Sequence, residues 1–389
     1  MRYTLMNYSY ESAEIDITEN GDAKILSITD CDRLPFGIQY SPKDTIDQDL
    51  TKWMHQRVIP GNRKGLSRLR LIMPEDMLMN SLRYSRGQSL SDGFWFRKEG
   101  ETATYDDISY REHGFSESLG DYILMNGEKT DSFNAPELAT NGMLGKAWKK
   151  KNGRFFLYKM GSCPNHEEPY NEVMASEIMS RMLSVPCVSY ELDFVNGRPV
   201  SVCEGFLHDG EELVTAEEIL ESTERKPGWT IDMIIRQRCR ELSIPGAEDF
   251  LNEMKVLDYL ISNQDRHLGN YGFIRDVKTL RFKGPAPIFD NGTSLWVDDR
   301  TMTSSQTVEQ MKHSLCKAVR HDMLLFRSSS DLKALAESVY SKSGITNEQF
   351  RVLADGLSER NTFLIQEAEK SMRMDTLNEK MIDEQEMTR

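Results

Sequence analysis

Asp265, Asn270 and Asp290 lie five and then twenty positions apart in the run NQDRHLGNYGFIRDVKTLRFKGPAPIFDNG, residues 263–292. An amide oxygen and a carboxylate are hard donors, the kind Mg²⁺ takes while leaving room for phosphate oxygens. With Asn270 and Asp290 given to a metal, Asp265 in the preceding loop is left to accept a proton from an attacking hydroxyl. That is a phosphoryl-transfer layout. Taken singly, each of the three is also explained as a turn residue, because Asn and Asp side chains cap backbone groups. The ordered set is what carries chemistry.

The set needs elements to position it. Residues 271–275 alternate as a strand, Asp276-Val277-Lys278-Thr279 is a polar turn, and Leu280-Arg281-Phe282-Lys283 returns. This reads as a β-hairpin, which brings the chain back so that Asn270 and Asp290 can approach a common point. Upstream, Phe250, Met254, Leu257 and Ile261 repeat at helical spacing and deliver the chain into the Asp265 loop. His267 is the one histidine of the run; we assign it to holding the loop or a phosphate, with proton transfer left to Asp265. The other six histidines show no metal-ligand spacing.

Further upstream, ATNGMLGKAWKKKNGRFFLYKMGS contains Gly142 and Gly145 ahead of two strand-like runs joined at Asn152-Gly153. Glycines there would let backbone amides come close to phosphate, although a Gly-x-x-Gly is also an ordinary turn. On the second strand, Lys159 shares a face with Phe155 and Leu157. A Lys on an apolar face is costly unless it is paired or opens into a cleft. The following PYNEVMASEIMSRML reads as a helix with Pro169 in its first turn. At helical spacing Glu172 falls within its apolar arc of Met174, Ala175, Ile178, Met179, Met182 and Leu183, and Glu177 falls outside it. Lys159 and Glu172 are therefore expected to neutralise each other, either as the pair that steadies nucleotide phosphates or as an ordinary ion pair between elements.

QDRHLGNYGF followed by PAPIFDNG resembles the C-lobe signature of the HipA-like kinases, relatives of the phosphoinositide 3- and 4-kinases and more distantly of eukaryotic protein kinases. The resemblance covers roughly 139 to the C-terminus and is looser upstream. It implies an α+β, two-lobed protein-kinase-like fold with a small β-rich N-lobe, a mainly helical C-lobe and an extra N-terminal accessory subdomain. The expected divisions are 1–131 for that subdomain, 132–208 for the small lobe and 209–389 for the large lobe. It also implies ATP and Mg²⁺ as cofactors, Lys159 and Glu172 at the ATP phosphates, Asn270 and Asp290 at the metal, and Asp265 as base toward a Ser/Thr hydroxyl of a protein. Glu204 to Phe206 would be the hinge whose backbone meets adenine. The glycines at 142 and 145 depart from the Gly-x-Gly-x-x-Gly loop of protein kinases. Proteins of this kind often work as toxins with a DNA-binding antitoxin, so an antitoxin-like partner belongs to the expectation. A lipid or small-molecule kinase and a catalytically silent nucleotide-binding regulator are the alternatives.

Length and composition set bounds. A chain of 389 residues suggests two or three domains or lobes, and 39% hydrophobic with 28% charged residues suits a soluble globular protein. A net charge of -14 argues against direct binding to nucleic acid or an anionic membrane, where clustered Lys and Arg are needed. No apolar run approaches a membrane span, and the start lacks a signal-peptide core, so the expected compartment is the cytoplasm. The six cysteines, at 31, 163, 187, 203, 239 and 316, form no Cys-x-x-Cys pair and read as reduced, mostly buried thiols. Short strands are expected at 13–17 and 23–28 around Asn20-Gly21, a helix from Asp49, and an aromatic core run at 90–97. Two more strands flank Asn196-Gly197, Thr215-Ala216-Glu217-Glu218 is a capping box, and helices dominate after Trp296, with the last capped by Thr346-Asn347-Glu348-Gln349.

Overall fold

The computed structural model describes residues 1–63, 66–73, 76–124, 127, 129–162, 166–295, 315, 318–319, 326 and 328–387, with side chains up to 371 and at 373. Cys163, Trp296, Cys316 and most of 297–327 lie outside the described residues. The chain divides into two compact units. The first holds Met1–Ser162, Glu191–Ala247 and His267–Ala286; the second holds Cys163–Tyr190, Glu248–Arg266 and Pro287–Arg389. The fold is mixed, with antiparallel sheets and helices. Among the described residues, no helix is long and apolar enough to cross a membrane.

The first unit contains three sheets. Strands β1 (Arg2–Asn7), β2 (Tyr10–Ile17), β3 (Ala23–Ile28) and β4 (Phe94–Lys98) form an antiparallel sheet in the order β3-β2-β1-β4. The period-two pattern expected at 13–17 holds, with Ala13, Ile15 and Ile17 buried on one face. The aromatic run at 94–96 is core: Phe94, Trp95 and Phe96 are buried, and Trp95 Nε1 donates to the Tyr8 carbonyl at 2.8 Å. Helix Ile46–Arg57 buries Leu50 and Met54 in the same core.

Strands β5 (Lys146–Lys151), β6 (Arg154–Met160), β7 (Tyr190–Val195) and β8 (Arg198–Glu204) form the second sheet, in the order β5-β6-β8-β7. Both tight turns carry the left-handed pairs that two-residue hairpins need, Asn152-Gly153 at φ +51° and +77° and Asn196-Gly197 at φ +51° and +75°. Strands β9 (Glu211–Thr215), β10 (Gly272–Asp276) and β11 (Phe282–Pro285) form the third sheet, in the order β11-β10-β9. β10 and β11 are the hairpin expected after Asn270. A buried ion pair braces this third sheet, with Arg275 Nε 2.5 Å from Glu212 Oε1, and Asn7 Nδ2 fastens the sheet to the N-terminal region by donating to Glu212 Oε2 at 3.0 Å.

In the second unit, helix Glu168–Met182 is buried along most of its length and helix Ala247–Leu260 follows the expected repeat. Helix Ser329–Tyr340 precedes the last helix, Asn347–Met387, whose Thr346–Gln349 capping box is present in both directions. Of the cysteines described, Cys203 and Cys239 are buried, Cys187 is half-buried with its thiol pushed up to about 12, first by burial and then by Glu253, and Cys31 is exposed. Cys31 thus departs from the expectation of buried thiols, because it opens a one-turn helix at the surface.

One buried carboxyl in the first unit contributes a pH response that can be isolated. Glu137 is fully buried; its Oε1 accepts the Trp148 N–H at 2.7 Å, and its Oε2 has no hydrogen-bond partner. Burial pushes this carboxyl up to about 7, against the pull of the Trp148 N–H and of Arg63. Gly120 makes the burial possible, since a Cβ there would stand 2.8 Å from Glu137 Oε1 and 2.9 Å from Ala147 Cβ. Between the ordinary value of 4.5 and about 7 the folded chain keeps a proton that the unfolded chain has released. Stability therefore falls as pH rises through that window and levels off above it. Glu218 is also pushed up to about 7 by burial, so parent and variant must be compared. Glu137→Gln keeps the acceptor for Trp148 and removes the titration. Urea unfolding should show the variant gaining roughly 1–3 kcal/mol on the parent between about pH 5 and about pH 8; an equal difference at both pH values contradicts this.

Candidate active site

The candidate residues distribute over both units, and each unit builds its share separately. In the second, helix Ala247–Leu260 ends on two fully buried residues, Leu260 and Ile261, after carrying Asp258 inward. The chain then turns through Ser262 at φ +53°. Asn263 closes this turn: its N–H donates to the Asp258 carbonyl at 2.9 Å and its Nδ2 to Asp258 Oδ1 at 3.1 Å. Its Oδ1 in turn accepts the N–H of Asp265 at 3.0 Å. The backbone of Asp265 is thus fixed while the residue stays exposed.

Arg266 points the other way. Its Nε lies 3.2 and 3.1 Å from the two Asp258 carboxylate oxygens, and its Nη2 lies 2.9 Å from Oδ1. Nη1 donates to the Phe289 carbonyl at 2.6 Å, and Nη2 also donates to Asn291 Oδ1 at 2.5 Å. Burial by itself would lower the Arg266 pKa. The charge and hydrogen bonds of Asp258, with smaller contributions from Asp290 and Glu172, raise it above its ordinary value instead.

Asp290 stands on the loop that Arg266 holds, at φ +59°. Helix Glu168–Met182 grips the same loop through two successive residues. Asn171 Nδ2 donates to the carbonyls of Gly292 at 2.8 Å and Ser294 at 3.0 Å, while its Oδ1 accepts from Tyr340 Oη. Glu172 Oε2 accepts the Asn291 N–H at 2.8 Å. Gly292 permits this approach, since a Cβ there would already lie 3.3 Å from Glu168 Cβ. Glu172 is therefore buried on the apolar arc, as its spacing indicated, and within its own unit it binds a backbone amide.

In the first unit, Lys159 is buried on β6, opposite Lys146 on β5 and Ser201 on β8. Gly142 sits at φ +111°, and the carbonyls of Thr140 and Gly142 both accept from buried Arg63, at 2.5 and 2.7 Å. The Gly142 N–H donates to Asn141 Oδ1 at 2.6 Å, so it must exchange that partner to reach a phosphate. A Cβ on Gly145 would meet Met160 Sδ at 3.1 Å. Glu204 closes β8 and pairs at the surface with Arg154 at 2.8 Å; the Gly205 N–H donates to the Phe155 carbonyl, and Phe206 lies beyond the strand.

The run after Arg266 folds against the N-terminus of helix Ala216–Glu221. Asn270 N–H donates to the His267 carbonyl at 2.9 Å, and His267 Nδ1 accepts from Gly269 N–H at 3.1 Å, a loop-holding role. The carbonyls of Leu268 and Tyr271 accept from Glu217 and Ala216. The hairpin does return the chain, because Ala286 N–H donates to the Gly272 carbonyl at 2.9 Å, two residues past buried Asn270. Asp290 follows four residues later in the second unit.

Four residues of this architecture escaped the sequence reading: Asn171, Asp258, Arg266 and Asn291. A signal existed for one pair. Asp258 interrupts the apolar run VLDYLI, and a carboxylate there requires a partner, for which Arg266 is the nearest following cation. Nothing in the sequence marked Asn171, and Asn291 entered only as a member of the PAPIFDNG motif, with no role of its own.

No protein-family model matches the sequence, and no curated protein matches it either. Solved structures are similar to this chain, two of them as follows. One is a Helicobacter pylori proinflammatory kinase, CtkA, at 16% identity and a TM-score of 0.43, covering 59% of this chain and 95% of that one. The other is a Shewanella oneidensis MR-1 toxin–antitoxin system, HipA with HipB and operator DNA, at 13% identity and a TM-score of 0.49, covering 95% of this chain and 97% of that one.

Asn171→Ala should lower stability by roughly 2–4 kcal/mol, because it strips the Gly292 and Ser294 carbonyls and the Tyr340 hydroxyl of a buried partner. Chemical unfolding would show this, and a change within about 0.5 kcal/mol would mean that the loop is held without it.

Proposed function

We propose that this chain is a HipA-like kinase, dependent on ATP and Mg²⁺, that transfers the γ-phosphoryl group to a Ser or Thr hydroxyl of a protein. One observation carries the reading: Asp265 and Asp290 stand on two loops that a single guanidinium, Arg266, only 10% exposed, fastens together. An arrangement made only for turns would not need its two acidic loops locked to one another.

The donor set fits the metal. Asn270 and Asp290 offer an amide oxygen and carboxylate oxygens, and among the described residues no group of three or more His, Cys, Asp or Glu could hold an ion alone. Two protein oxygens fall short of what Mg²⁺ takes, so phosphate oxygens and water would supply the rest. When bound, Mg²⁺ neutralises charge on the transferring phosphoryl group.

The remaining roles belong to the chain's own side chains. Lys159, buried on β6, steadies the nucleotide phosphates. Glu172 is assigned to this lysine as its counter-charge while it holds the Asn291 amide. Asp265 orients the acceptor hydroxyl and takes its proton. His267 keeps the loop in shape. Gly142 and Gly145 admit phosphate near the backbone, and Glu204 to Phe206 supply the adenine hinge. The reading requires the residues of both units to act together, with 132–208 as small lobe, 209–389 as large lobe and 1–131 as accessory region. An antitoxin-like regulatory partner belongs to the same reading. Direct contact with nucleic acid does not, given the net charge of -14.

Radiolabelled ATP with candidate protein acceptors tests it. Transfer should depend on Mg²⁺ and fall about 10²- to 10⁴-fold in Asp265→Asn, with a comparable loss in Asp290→Asn. Unchanged transfer in both variants would sink the assignment. ATP stabilisation that EDTA abolishes, with no phosphorylated product from any acceptor, would instead make the chain a silent nucleotide-binding regulator.

A further inference from the structure

Asp290 holds a left-handed backbone, φ +59°, a conformation uncommon outside Gly although Asp visits it more readily than most residues. Its surroundings hold it there. Two peptide planes flank Asp290, and their directions define its φ and ψ. The plane before it carries the Phe289 carbonyl, which accepts Arg266 Nη1 at 2.6 Å. The plane after it carries the Asn291 N–H, which donates to Glu172 Oε2 at 2.8 Å. The Asn291 side chain then returns to Arg266 through Nη2 at 2.5 Å. Arg266 itself cannot turn away, because its Nε and Nη2 are engaged by Asp258.

We propose that Arg266 and Glu172 are positioning residues that clamp the two peptide planes of Asp290 and so aim its carboxylate before a metal arrives. The inference rests on the reading of Asp290 as a metal-holding residue. It gives Glu172 a task separate from any pairing with Lys159, and it gives Arg266 a task that the proposed transfer chemistry does not. Lysine cannot replace the guanidinium in this role. A single ammonium can answer Asp258 but cannot donate in fixed directions to Asp258, Phe289 and Asn291 together.

The test is Mn²⁺ affinity by electron paramagnetic resonance on the full chain with a non-hydrolysable ATP analogue, beside analogue affinity in EDTA. Arg266→Lys keeps the charge opposite Asp258 and should stay folded. Asp258→Asn/Arg266→Met removes the buried pair together, so that no lone charge remains if the lysine variant fails to fold. Both should weaken Mn²⁺ about 10- to 100-fold and leave metal-free analogue affinity unchanged. Arg360→Lys is the control. It perturbs another buried arginine of the same unit, one that donates to the Tyr259 carbonyl at 2.8 Å, and should lower stability without moving Mn²⁺ affinity. Wild-type binding of Mn²⁺ with both Arg266 variants equal to it would overturn the inference alone. Wild type that binds the analogue but no Mn²⁺ would overturn the metal-holding reading, and the inference with it.

Discussion

The second unit depends on one desolvated cation. Arg266 is almost wholly enclosed, and an enclosed guanidinium is tolerable only if its donors are answered. Asp258, Phe289 and Asn291 answer them, and that requirement dictates what the surrounding chain can do. Helix Ala247–Leu260 must deliver Asp258 to a fixed depth, which its buried ending at Leu260 and Ile261 secures. The 289–294 loop must come back to the same place, and Asn171 and Glu172 hold it there from an independent helix. Removing one partner would leave a buried charge uncompensated, so the four segments hold their positions jointly.

A similar device organises the first unit. Glu212 and Arg275, both buried, lie on neighbouring strands β9 and β10, and Asn7 from the first sheet donates to the other Glu212 oxygen. The hairpin that starts just after Asn270 is thereby tied to the N-terminal region, which contributes no catalytic motif of its own. Its part is to hold β9 and β10, and through them the 267–272 loop that rests on helix Ala216–Glu221. Arg63 extends the pattern to the glycine segment by holding two of its carbonyls.

Local signals were legible because they rest on local physics. The two Asn-Gly hairpins, the Thr215 and Thr346 capping boxes, the alternation at 13–17 and the apolar arc containing Glu172 all come from periods and turn preferences set within a few residues. Asp265, Asn270 and Asp290 stood out in the sequence as an ordered set of residue types, and the hairpin between two of them was readable from alternation around a polar turn. The link between Asp258 and Arg266 was half-visible, as a carboxylate in an apolar run with a cation soon after it.

Sequence alone therefore determined which residues are chemically suited to hold a metal or accept a proton, and which elements carry them. Only the tertiary structure decided how those residues are aimed. The left-handed backbone of Asp290, the grip of Asn171 on two carbonyls and the Asn291 amide on Glu172 join positions far apart in the chain. No periodicity encodes such contacts, because a buried amide or carbonyl takes whichever partner packing presents to it. The tertiary structure also divided the burial costs, leaving Glu137 with a half-answered carboxyl and giving Arg266 an acceptor at each of its three nitrogens, a difference fixed by which side chains surround each group and not by the residue type itself.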